Sequence, residues 1–432
     1  MNTTKKNIIK NGLSSFGQKG VRVLEQLFLI PFFITHWGTA YYGEWLTLTI
    51  IPSVLAFSDL GLGSAASNSF VLKYASGKYQ EAADVLKTGF VIITKVILIA
   101  MLIGAVGVGL ALHFNWLAHS LIPTDEACYA LLMMMMAKLL GFYMQLYEAN
   151  FRAARKAHLG INLQTLSGCL NIGIGLLMLM LGYGVVGFAL GQLLIAIFDN
   201  LVYGRIALRI LNLGKQFKGV YNKTFSKEVF GLGLGYLMSP LWQSILFQGT
   251  TFVVRVTLGP TAVAMFNTVR TLSRSVNQLY SIINTSVFPE IQMEIGAGNV
   301  AKAKNILTKA TKISGILALV GCIGMATIGL PIYNIWTKHE LNPPYILWFL
   351  LVLATAVNAV WWTVGVVFRA MNKPYQLSIS GVVFSLLAIL ITYVGCKNLG
   401  IIGAGIGALA FEIGMALFLF PRAFKLLNIK LQ

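Results

Sequence analysis

The chain has 432 residues, of which 57% are hydrophobic and only 11% charged, with a mean hydropathy of +0.75. An ordinary soluble domain carries roughly 25% charged residues, so a water-soluble globule, a disordered chain and a coiled coil are excluded and a polytopic membrane protein remains. Its 33 Lys and Arg against 14 Asp and Glu give a net charge of +19, which in a soluble protein points to nucleic acid and in a membrane protein to basic cytoplasmic loops.

At about 30–40 residues for each span and its loop, the length holds roughly 11–14 spans. Apolar stretches and their polar breaks give twelve, near 10–34, 42–70, 84–112, 127–151, 159–181, 185–208, 229–254, 260–288, 306–333, 345–368, 375–396 and 400–420. With the N-terminus inside, 24 bases fall on inside segments and 3 (Arg255, Lys338 and Lys397) on outside segments. That asymmetry puts both termini in the cytoplasm. It leaves six bases within the spans: Lys19, Arg22, Lys95, Lys138, Arg270 and Arg274.

The chain repeats itself. Phe151-Arg152-Ala153-Ala154-Arg155-Lys156 recurs as Phe368-Arg369-Ala370-Met371-Asn372-Lys373, and Gly184-Val185-Val186-Gly187 with Gly191 recurs as Gly400-Ile401-Ile402-Gly403 with Gly407. More weakly, Ala75-Ser76-Gly77 and Ala82 match Gly296-Ala297-Gly298 and Ala303. The three matches keep their order at offsets of 216–221. They imply two six-helix halves, 1–214 and 215–432, with the basic stretch 205–227 as linker. An even number of spans per half makes the halves parallel repeats about the membrane normal. The expected fold class is therefore an all-α polytopic membrane protein, two six-helix lobes facing a central cleft.

Span 8 carries the clearest polar signal. Asn267, Arg270, Arg274, Asn277, Ser281 and Asn284 follow spacings of 3 and 4 and make one stripe on an apolar helix. Arg270 lies about 15 Å from the outer end at 1.5 Å per residue, near the midplane of a ~30 Å core. Such a stripe is tolerated where it faces water, binds an anion, or is bridged to acids on neighbouring helices. Span 1 repeats the theme with Ser15, Lys19, Arg22 and Gln26, flanked by Gln18 and by Glu25, which can pair with Arg22 at i+3. Lys138 is mid-span in helix 4, and Lys95, nearer an inner end, can snorkel. Asp59, Asp199 and Glu412 are each either a partner for a buried base or a protonatable coupling site. Trp361 and Trp362 with Asn358 offer aromatic faces suited to sugar rings or to packing. Trp37, Tyr41, Tyr42 and Trp45 fit an interfacial belt, and Met133–Met136 is a packing run.

Enzyme motifs do not emerge. The chain lacks a P-loop and a GxSxG, its four cysteines have no CxxC spacing, and its five histidines do not cluster. The outer segment 113–126 is too short for a catalytic site. These features point to a transporter with no cofactor and no metal.

Lys6-Asn7-Ile8 through Pro31, then Tyr42-Gly43-Glu44-Trp45 and Asp59-Leu60-Gly61-Leu62, resemble the polysaccharide transport family. That family includes the Wzx-type O-antigen and oligosaccharide flippases of the multidrug/oligosaccharidyl-lipid/polysaccharide (MOP) exporter superfamily. The resemblance covers the chain in topology, on loose motifs, with two spans fewer than lipid II flippases. It implies a MOP/MATE-like fold in the bacterial inner membrane, moving an undecaprenyl-pyrophosphate-linked oligosaccharide to the periplasmic leaflet by alternating access. It also implies membrane lipid, a proton or sodium gradient, and glycan polymerase and chain-length regulator proteins as partners. A planar guanidinium suits phosphate oxygens, so Arg270 and Arg274 are the expected head-group site, with Lys19, Arg22 and Lys138 on the other lobe, the amides of Asn267 and Asn277 toward sugar hydroxyls, and Trp361 beside them. Glu25, Asp59, Asp199 and Glu412 are the expected coupling or ion-pair acids. The rival readings are a multidrug cation antiporter of the same superfamily, which calls for acids deep in a lobe, and a membrane glycan polymerase or acyltransferase, which calls for a catalytic loop.

Overall fold

The computed structural model describes residues 4–22, 36–37, 41, 45, 48–49, 52, 59–114, 121–337 and 341–428. Tyr42 and Glu25 lie outside these residues. Every regular element among the described residues is helical. They are α1 (4–22), α2 (Leu62–Ala75), α3 (Tyr79–His113), α4 (Thr124–Leu140), α5 (Tyr143–Ala153), α6 (Ala157–Met180), α7 (Val185–Ile210) and a one-turn α8 (Leu213–Gln216). Then come α9 (Lys223–Leu258), α10 (Pro260–Ser275), α11 (Asn277–Gly296), α12 (Val300–Gly324), a π-turn (Met325–Gly329), α13 (Leu330–Trp336), α14 (Tyr345–Val364), α15 (Val366–Ala370), α16 (Pro374–Leu399) and α17 (Ile402–Asn428). Among the described residues, nine helical stretches are long and apolar enough to cross a bilayer. The protein is thus an all-α, multi-pass membrane protein, because a chain in hydrocarbon must satisfy its backbone within each segment.

The chain forms two compact units, Met1–Leu234 and Gly235–Gln432, dividing within α9. In the first unit the segment before α9 is pinned to α3. Gln80 Nε2 donates to Lys218 O (3.1 Å), Val220 N to Asp84 Oδ1 (2.9 Å) and Asn222 N to Thr88 Oγ1 (3.0 Å). Positions 80, 84 and 88 share one face of α3, so three successive turns hold the strap. The core of this unit gathers Leu131, Met134, Met135, Val185 and Phe188 around Trp45. Trp45 is buried with its ring edge-on to Trp37 and Phe188, so it packs as a core residue of this unit. Met134 and Met135 pack as expected.

The sequence repeats fold into the same turns. After α5, Lys156 N donates to Phe151 O (2.9 Å) and Arg155 N to Arg152 O (2.9 Å); after α15, Lys373 N donates to Phe368 O (2.7 Å) and Asn372 N to Arg369 O (3.1 Å). Arg155 and Asn372 both sit at φ 55°, the left-handed residue that closes this helix end. The α2–α3 and α11–α12 corners match likewise, with Gly77 at φ 78° and Gly298 at φ 79°. Their ion pairs are sign-exchanged: Lys73 binds Glu81 at 2.5 Å, whereas Glu294 binds Lys302 at 2.9 Å. Glu294 is fully buried and also accepts Asn299 Nδ2 at 3.0 Å, while Glu81 is 40% exposed. Glu294→Ala should therefore cost about 2–3 kcal/mol and Glu81→Ala under about 1 kcal/mol, read as shifts in thermal unfolding of the purified protein. Equal effects would contradict this burial argument.

One expected helix differs. The stripe from Asn267 to Asn284 is not continuous, because the helix breaks at Val276, between α10 and α11. Leu279 N donates to Val276 O at 3.0 Å, a tightened i→i+3 turn.

Candidate functional site

In the second unit, α10 carries Asn267, Arg270 and Arg274, and their surroundings separate their roles. Arg270 spends its terminal donors on neutral acceptors: Nη1 on Phe247 O and Thr250 Oγ1 (both 3.2 Å), Nη2 on Thr251 Oγ1 (3.0 Å) and Asn267 Oδ1 (2.6 Å). Its guanidinium lies 5.1 Å from the Phe247 ring centroid and 4.9 Å from that of Phe266, within cation–π range. Among the described residues Arg270 forms no ion pair, so its charge is held by hydrogen bonds and ring faces alone.

Arg274, one turn on, reaches Glu412 Oε1 at 3.3 Å. Glu412 is 3% exposed and fully engaged: its Oε2 accepts Asn358 Nδ2 at 2.9 Å and Trp361 Nε1 at 2.7 Å. A buried carboxylate persists only with such partners. Trp361 is fully buried and serves here as a hydrogen-bond donor that orients Glu412, with no ring face open to a sugar. Asn277, beyond the helix break, donates weakly to Asn358 Oδ1 at 3.4 Å and leaves its own Oδ1 buried without a partner. The space between Arg270, Arg274 and Glu412 is about 20 Å³, room for one water.

The first unit holds a larger polar hollow of about 420 Å³, with an adjoining one of about 200 Å³. Gln18 and Arg22, at i and i+4 on α1, line the larger one; Lys19 lines neither. Gln18 Nε2 donates to Gln164 Oε1 at 2.9 Å, and Gln164 Nε2 passes the chain on to Glu148. Asp199 borders both hollows and accepts Ser167 Oγ at 2.6 Å. Lys138 lines the smaller one together with Asn200, whose Oδ1 is buried and unpartnered.

Of the acids picked out in the sequence, only Glu412 meets a base among the described residues. Asp59 instead accepts Gly63 N at 3.0 Å, at the start of α2, and Gln145 Nε2 at 3.2 Å, a capping role. Asp199 pairs with a hydroxyl. Lys95 stands over the Tyr221 ring at 5.6 Å. Glu148, near the inner end of span 4, was not singled out in the sequence. Each unit holds an acid at its polar site, Glu148 half-buried beside the larger hollow and Glu412 buried, so scarcity of acids does not separate a glycan-lipid carrier from a cation antiporter. Among the described residues no group of His, Cys, Asp and Glu could hold a metal ion.

Residues 12–293, more than half of the chain, match the model of the polysaccharide biosynthesis protein family. No curated protein is a significant sequence match. Solved structures are similar over nearly the whole chain. A MATE transporter in its bent conformation superposes with a TM-score of 0.78 at 16% identity, covering 99% of this chain and 96% of that one. An outward-facing multidrug resistance MATE family transporter of the MOP superfamily gives 0.78 at 17% identity, covering 98% and 96%. A MOP superfamily transporter from Pyrococcus furiosus, described by a reverse polarity of its binding pocket, gives 0.73 at 17% identity, again covering 98% and 96%. These likenesses show the fold that those transporters share. The chain therefore belongs to the polysaccharide biosynthesis protein family and has the MATE fold.

Proposed function

We propose that the protein translocates an undecaprenyl-pyrophosphate-linked oligosaccharide, an O-antigen unit or similar, from the cytoplasmic to the periplasmic leaflet of a bacterial inner membrane. The family match carries this reading, and the uncompensated charge of Arg270 supports it. In this reading twelve spans form two six-helix lobes with both termini cytoplasmic, and a proton or sodium gradient drives alternating access. Arg270 is a fixed positive charge whose terminal donors are already used. Arg274 is the group free to meet phosphate, once it leaves Glu412 and the site opens beyond its present 20 Å³. Lys19, Arg22 and Lys138 form the second basic set. Partners are the lipid-linked glycan and the polymerase and chain-length regulator that use it.

A multidrug cation antiporter is the second reading. It is favoured by the likeness to MATE structures and by Glu148 and Glu412, either of which could hold a cation after losing its present partner.

The test is complementation of a flippase-null strain, scored by surface glycan per membrane-inserted protein. Arg274→Ala should lower export at least about tenfold, the loss of one charge-assisted contact of roughly 1.5–3 kcal/mol, and Arg270→Ala should lower it by removing the fixed charge. Arg274→Lys should recover part of it, keeping charge without the bidentate fork. Full export by the double alanine variant would overturn the assignment. Drug resistance without any glycan phenotype would instead establish the antiporter.

A further inference from the structure

The two adjoining hollows of the first unit have a lining that neither a phosphate nor a lipophilic drug requires. Their volumes, about 420 and 200 Å³, together fall within the roughly 300–1,000 Å³ of small-molecule sites. Such sites are usually lined by apolar side chains, yet here polar ones outnumber them. The charges balance, Arg22 and Lys138 against Glu148 and Asp199, so no net field selects an anion.

What the lining offers is a spread of donors and acceptors on fixed helices. The chain from Gln18 through Gln164 to Glu148 orients its members by their own hydrogen bonds. Among the described residues Asp199 uses only Oδ2, on Ser167. Asn200 spends both amide protons on Leu140 O and Ala196 O (3.2 and 2.8 Å), which fixes this wall of the smaller hollow. Lys138 beside it supplies a donor with no ion pair among the described residues. Met144 and Ile195 border both hollows and give an apolar surface common to the two.

We propose that this hollow is a glycan subsite that binds a sugar residue through its hydroxyls, with the C–H face of the ring against Met144 and Ile195. The proposal rests on the reading that the cargo is a lipid-linked oligosaccharide, and assigns the sugar-recognising groups to the first unit.

Thr165 lines the larger hollow and provides the probe. Thr165→Cys, with the four native cysteines replaced, is reconstituted as the full chain in nanodiscs and alkylated with N-ethylmaleimide. Asn171→Cys serves if the first variant does not fold. The ligands are glucose, galactose, rhamnose, N-acetylglucosamine and a mixed trisaccharide of these, with farnesyl pyrophosphate and tetraphenylphosphonium as contrasting probes. At least one sugar should slow alkylation about threefold at twice its Kd, and Asp199→Leu, at the residue that borders both hollows, should abolish that protection. Farnesyl pyrophosphate should leave the rate unchanged while raising the unfolding temperature in an Arg274-dependent way. Alkylation unmoved by every sugar overturns the subsite. If farnesyl pyrophosphate still binds through Arg274 in that case, the flippase reading survives without it. Protection by tetraphenylphosphonium alone overturns both.

Discussion

Gly403→Ala should leave little folded protein in the membrane. A Cβ on Gly403 would stand 2.0 Å from Gly395 C, 2.3 Å from Cys396 N and 2.4 Å from Gly395 O. These are backbone atoms of α16, so no rotamer change relieves the clash and the α16–α17 hairpin must spread. Small residues at this spacing let membrane helices approach closely, and Gly407, one turn on, meets Thr392 and the Ala388 carbonyl in the same way. Overpacking ordinarily costs about 1–3 kcal/mol; a backbone collision should exceed about 3 kcal/mol. Gly315→Ala, within α12, is the control, because there an added Cβ has open space. It should be neutral or slightly stabilising, since Ala is the better helix former. Scanning fluorimetry of both purified variants decides it. A Gly403→Ala protein as stable as Gly315→Ala would mean that the hairpin is looser than its geometry.

Glu412→Ala should be the most damaging substitution at the polar site. It removes one acceptor from three donors at once, Arg274, Asn358 and Trp361. Breaking a buried ion pair by deleting one partner costs roughly 3–5 kcal/mol. Arg274 is 30% exposed and can turn toward solvent, so about 2–4 kcal/mol is the expected loss after allowing for screening. Glu412→Gln keeps one oxygen and the volume, and should lose roughly half as much. The double variant Arg274→Met/Glu412→Leu, which leaves no charge stranded, should be closer to wild type than Glu412→Ala. That non-additivity is the signature of a coupled pair. Additive losses in the thermal unfolding cycle would show that Arg274 and Glu412 do not depend on each other for stability.

Much of the fold was legible because it is written in local chemistry. Runs of apolar residues marked the long helices, and the Phe-Arg-Ala repeat marked two identical turns, since a helix end closed by a left-handed residue is specified within six positions. The site was less legible because its bonds are non-local. Arg274 and Glu412 stand 138 positions apart, and Gln18 and Gln164 stand 146 apart. Periodicity placed Arg270 and Arg274 on one face, yet it could not tell that one is tied to carbonyl and hydroxyl oxygens and the other to a carboxylate. The break at Val276 left no glycine or proline in the sequence to announce it. Trp361 was read by its ring, whereas the structure uses its indole N–H.

The exchanged ion pairs at the two matching corners bear on the ancestry of the chain. If the halves descend from one ancestral unit, Lys73 and Glu294 occupy one ancestral position and Glu81 and Lys302 another. No single substitution converts one arrangement into the other, so at least one unpaired or like-charged intermediate separates them. In the first half both members are partly exposed, at 28% and 40%, and water screens such a mismatch to a fraction of a kcal/mol. In the second half the acid is fully buried, and the same mismatch costs more there. Exchange of the pair is thus tolerated more readily at the first corner than at the second.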